Sequence, residues 1–111
     1  MTIRDMVRDI QREVGAGQLD PSRAAELLGM ATALIGNCND EIRLRDVQYA
    51  AVLLQCLDTA EHANRATIQA ECSAEYQRKR EARDTKELIT ELVRSLKYIL
   101  KAQGDEMRLA R

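Results

Sequence analysis

The chain has no Trp, no Phe, a single Pro and a single His in 111 residues. With aromatic rings only at Tyr49, Tyr76 and Tyr98, any core has to be aliphatic, and 25 Ile, Leu and Val residues supply it. Such cores suit helix bundles and coiled coils. The lone His62 cannot build the paired Glu-x-x-His ligands of a carboxylate-bridged di-metal bundle. Cys38, Cys56 and Cys72 lie 18 and 16 residues apart, which is neither the close pairing of a zinc site nor the even count of a disulfide framework. They read as small buried or half-buried thiols, and no metal or cofactor is expected.

Other absences narrow the function classes. Gly15, Gly17, Gly29, Gly36 and Gly104 stand singly, and none precedes the Gly-Lys-Ser/Thr of a phosphate-cradling loop. A single histidine in a polar stretch is a poor base for activating Ser, Thr or Cys, so no catalytic residue is assigned and catalysis is not expected. No apolar run approaches the roughly 20 residues that cross a bilayer, and the N-terminus lacks the apolar core of a signal peptide. A cytoplasmic protein with no membrane partner is the expectation.

Charge is abundant and nearly balanced, with 17 basic and 18 acidic side chains, so its total argues for no particular partner. Its distribution is uneven: residues 1–76 carry 7 Lys/Arg and 12 Asp/Glu, residues 77–111 carry 10 and 6, and all four lysines lie in the second part.

Apolar spacing predicts helices throughout. Ile3, Met6, Val7, Ile10 and Val14 share one face. Thr2 is placed to cap that helix, Asp5 lies at its third position, Met1 can staple onto Met6, and Gly15 and Gly17 end it. Asp20 before Pro21 marks a second start, followed by Ala24, Leu28, Ala31, Ile35, Cys38 and Ile42 in three-four spacing, with Leu27 and Leu34 widening the stripe. At Gly36, Asn37 and Asn39 the helix either runs on with a weak spot or breaks, with Asp40 capping a new helix, and the break is the favoured reading. From Asn37 to Gln103 the chain runs 67 residues without Gly or Pro. As one helix that would span about 100 Å, against about 35 Å for a compact domain, so it must fold back or extend into an oligomeric coiled coil. Within it, 40–60 (Val47, Ala50, Ala51, Leu54, Leu57) reads as a central helix buried on more than one side. Residues 61–87 read as a solvated helix or connector ending in the charge run Arg78 to Glu87. Asp84 and Glu87 are spaced as a capping pair for a last helix to Gln103, and Gly104 and Asp105 interrupt it.

The stretch Ser22-Arg23-Ala24-Ala25-Glu26-Leu27-Leu28-Gly29-Met30 resembles the first helix and turn of the Fis-type helix-turn-helix. The resemblance implies a turn at Gly29 and a following helix that reads the major groove. The next residues, Ala31, Thr32, Ala33, Leu34 and Ile35, offer no basic or amide side chain to a base edge, and periodicity treats Ala31, Leu34 and Ile35 as core. A short helical N-terminal part before a long helix is also similar in layout to phage terminase small subunits and small regulators.

The expectation is an all-α protein: a small bundle of about four helices with a long helical hairpin or coiled-coil second half. It forms a single domain over 1–111, with an acidic bundle part (1–60) and a long basic helical part (61–111). It is expected to act as a non-enzymatic interaction or adaptor protein that self-associates and binds another macromolecule, with a protein partner first in line. Its homo-oligomer interface is placed on Leu88, Leu92, Leu96 and Ile99, flanked by Glu91, Arg94, Lys97 and Lys101. The alternative is a nucleic-acid-binding helical oligomer whose phosphate contacts come from Arg78, Lys79, Arg80, Arg83 and Lys86.

Overall fold

The computed structural model describes residues 1–109. Among them are four α-helices and no strand, with 89% of the structure helical, and the fold is an all-α bundle in which two long helices pack against each other. Helix α1 spans Ile3–Gly15. Thr2 opens it with a reciprocal cap: its hydroxyl accepts the Asp5 amide at 3.1 Å, and the Asp5 carboxylate accepts the Thr2 amide at 3.0 Å. Met1 is 86% exposed, so no staple on Met6 covers it. The helix ends where expected, with Gly17 turning the chain at φ 77°, a left-handed conformation that suits glycine.

Helix α2 is continuous over 39 residues, Pro21–Thr59, and starts with Asp20 accepting the Arg23 amide at 2.7 Å. The expected break at Gly36 to Asp40 does not occur. A glycine or asparagine inside a helix costs up to about 1 kcal/mol against alanine, while Leu34 and Cys38 on the same helix bury to 7% and 1% exposure and gain more than that by staying in register. The turn implied by the helix-turn-helix resemblance is absent for the same reason, and Gly29 sits inside the helix.

The chain reverses at Ala60–His62, passes through the short α3 (Ala63–Glu71), and turns again at Cys72–Ser73 into α4 (Ala74–Leu109). These turns use no glycine or proline. Ser73 caps α4 by accepting the Tyr76 amide at 3.2 Å, so the last helix begins well before the expected start at Asp84, and the Asp84–Glu87 spacing falls in its interior. It also runs through Gly104 and Asp105, where a stop was expected. Its far end is anchored by the Gln103 amide, which donates to the Leu19 carbonyl at 2.7 Å.

The helices form two compact units, Met1–Asn37 with the chain from Thr85 onward, and Cys38–Asp84. The first unit has a full aliphatic core: Val7, Ile10, Leu27, Leu34, Ile89, Leu92 and Leu96 are none of them more than 7% exposed. At its edge Arg23 forks onto Glu13, with Nε to carboxylate at 2.7 Å. That hydrogen-bonded guanidinium lowers the Glu13 pKa.

The oligomer stripe expected on α4 is corrected by this core. Leu92 and Leu96 are buried within the chain itself, at 6% and 0% exposure, and Leu88 and Ile99 are half-buried. The first unit therefore covers Leu92 and Leu96 within the chain, while Leu88 and Ile99 keep part of their surface exposed.

Candidate interaction surface

The second unit is built differently. From Cys38 onward α2 runs antiparallel to the first part of α4. The Cys38 thiol donates to the Ala82 carbonyl at 3.3 Å, Asp46 pairs with Arg83 at 2.8 Å, and the rings of Tyr49 and Tyr76 meet at 5.4 Å. The Lys79 ammonium stands 4.5 Å over the Tyr49 ring and the Arg80 guanidinium 5.9 Å over Tyr76. Burial raises the pKa of the Tyr49 hydroxyl, and the Glu71 carboxylate adds to the effect.

Its buried apolar residues are Cys38, Ala66, Ala70 and Ala82, none larger than a cysteine. The large apolar side chains sit outside: Leu44 is 49% exposed, Val47 68%, Leu54 63%, Leu57 43% and Ile68 63%. The sequence expectation that 40–60 is buried on more than one side is corrected here. At about 100° per residue, Cys38, Ile42, Tyr49, Val52, Leu53 and Cys56 share one face of α2, buried or half-buried, while Leu44, Val47, Ala51 and Leu54 share the opposite face, and all of the latter are exposed. One helix thus carries two apolar faces, only one of them covered.

The basic run falls on α4 without forming one surface. Lys79, Arg80 and Arg83 are engaged with Tyr49, Tyr76 and Asp46, so they brace this unit internally. Arg78 is exposed and Lys86 half-exposed. Lys79, Arg83 and Lys86 share a flank at i, i+4, i+7, but Arg80 points about 100° round the helix from Lys79. Arg80 and Arg83 remain exposed while making these contacts.

Among the described residues no group of His, Cys, Asp and Glu has the arrangement of a metal site, and no helix is long and apolar enough to cross a membrane. No disulfide joins the cysteines among the described residues. Cys38 is buried and Cys56 half-buried as expected, but Cys72, at the second turn, is exposed. A depression at Lys86, Glu87, Thr90, Glu91 and Arg94 is lined by α4 alone and is open surface. The outer face of α2 was missed by reading residues 40–60 as one buried element. The signal was present in the i, i+3, i+7, i+10 spacing of Leu44, Val47, Ala51 and Leu54, set opposite a second apolar stripe. No protein-family model matches the chain, and neither the curated proteins nor the solved structures give a significant match.

Proposed function

We propose that the chain is a non-enzymatic helical interaction protein that self-associates through the outer face of α2, not the α4 stripe, and acts by binding another macromolecule. The observation carrying this is the contrast between the units. One closes its leucines and isoleucines into a core, while the other leaves Leu44, Val47, Leu54 and Leu57 in water and buries nothing larger than cysteine. Contiguous exposed apolar surface on a small domain marks contact sites. Three cysteines with no disulfide between them fit a reducing, cytoplasmic setting.

Sedimentation velocity over a concentration series tests the reading. Wild type should shift toward a larger species as concentration rises, and Leu54→Asp should hold it in the smaller one with helicity unchanged. A wild type that stays monomeric at high micromolar concentration sinks self-association. The nucleic-acid alternative draws on Arg78, Lys79, Arg80, Arg83 and Lys86 along α4. It predicts retention on DNA or RNA columns that falls steeply with salt and is weakened in R78A/K86A.

A further inference from the structure

The outer face of α2 reads the same in both directions. In Leu44-x-x-Val47-x-x-Ala50-Ala51-x-x-Leu54-x-x-Leu57, reversal about the midpoint of Ala50 and Ala51 exchanges Leu44 with Leu57, Val47 with Leu54, and one alanine with the other. All six are exposed. The same reversal exchanges Arg43 with Asp58, side chains of opposite charge that are also exposed. A two-fold interface requires this kind of self-complementarity, since residue i meets residue j and j meets i.

Resting on the self-association proposed above, we infer that the occupant of this face is a second copy of the chain, its α2 antiparallel to the first, with the two-fold axis passing between Ala50 and Ala51. Leu44 then meets Leu57 of the second copy and Val47 meets Leu54, while the alanines at the axis let the helices approach closely. The matched stretch from Leu44 to Leu57 is about 20 Å long. Arg43 reaches Asp58 of the second copy at each end. Within one chain Arg43 has only a loose 3.8 Å contact with Asp40, both side chains about four-fifths exposed, so it is available to exchange partners. A parallel pairing would set Arg43 on Arg43 and Asp58 on Asp58, which like charges oppose. From the exposures, each copy offers on the order of 400 Å² of apolar side chain, so the pair falls at the small end of specific interfaces and is reversible with concentration.

Disulfide trapping tests the register. In full-length protein with Cys56 and Cys72 changed to Ala, and buried Cys38 kept, V47C and L54C proteins are made separately and mixed under mild oxidation. They should cross-link to each other and not to themselves. Two copies of position 47 would be offset by seven residues, about 10 Å along the axis, beyond the ~7 Å Cα separation that a disulfide tolerates. Self-cross-linking of V47C alone would mean parallel pairing and overturn the inference. A dimer in sedimentation with no cross-link in the mixture would also overturn it, while leaving self-association through another surface. A monomer at every concentration would overturn both. Charge reversal is an independent readout that needs no cysteine. R43D and D58R should each weaken the dimer several-fold and R43D/D58R should restore it, with circular dichroism confirming intact helices. A double variant no tighter than the singles would refute the Arg43–Asp58 register.

Discussion

Leu96 and Leu54 are the same side chain on two long helices, and the structure assigns them opposite energetics. Leu96 is 0% exposed in the core with Ile89 and Leu92, whereas Leu54 is 63% exposed. Truncating Leu96 to Ala removes buried methyl groups and leaves a cavity, which costs about 2–5 kcal/mol. Domains of this size are stable by only about 5–15 kcal/mol, and each kcal/mol moves the midpoint of a roughly 100-residue domain by about 4 °C or more. L96A should therefore melt at least about 8 °C below wild type. Leu54 gives up only about a third of its surface on folding, so L54A should cost less than about 1 kcal/mol at concentrations where the chain is monomeric. Thermal melts followed by circular dichroism, with urea titrations at two protein concentrations, measure both. An L96A cost under 1 kcal/mol, or one that disappears on dilution, would mean that the α4 stripe is an interface after all.

Gly36 is an exposed helical residue whose added Cβ would meet nothing within 4 Å, so G36A should stabilise by about 1 kcal/mol; no gain would mean that α2 breaks there. G17A should destabilise by about 1 kcal/mol, because Gly17 holds a positive φ. The pKa of Glu13 is lowered from its ordinary 4.5 by Arg23, so its contribution is complete above that value and is lost as pH falls through the lowered one. The unfolding midpoint of wild type should drop more steeply than that of R23A over that acid range, and parallel curves would refute the coupling. A thiol reagent should modify Cys72 first, Cys56 more slowly and Cys38 only on unfolding; early loss of Cys38, followed by peptide mass, would contradict its burial.

Local signals survived best in passing from sequence to structure. Thr2 with Asp5, Asp20 with Pro21, and Gly17 are short-range devices whose geometry needs only neighbouring residues, and each sits where the sequence placed it. Propensity misled at Gly36 to Asn39, because its cost is smaller than the burial of Leu34 and Cys38 on either side. The Asp84–Glu87 spacing misled because a charge-rich helix repeats it in its interior. The contact surface was the least legible part. Periodicity reveals how many apolar faces a helix has but not which one another helix covers. The α4 stripe of Leu92 and Leu96 was given to a second copy because its cover was sought in residues 61–87, when it comes from the N-terminal helices. Val47, Leu54 and Leu57 were counted as core, although the unit that holds them buries no apolar side chain larger than cysteine.

The first unit is assembled from residues far apart along the chain, since Gln103 bonds to Leu19 across 84 positions, whereas the second is one uninterrupted stretch. During synthesis the middle stretch can adopt its antiparallel contacts as soon as Asp84 has left the ribosome. Val7, Ile10 and Leu27 must wait for Ile89, Leu92 and Leu96. Closing so large a loop is the slow entropic step in folding. Until it closes, the strongest apolar surface of the nascent chain is its N-terminal helices, which makes them the segment most open to chaperone capture.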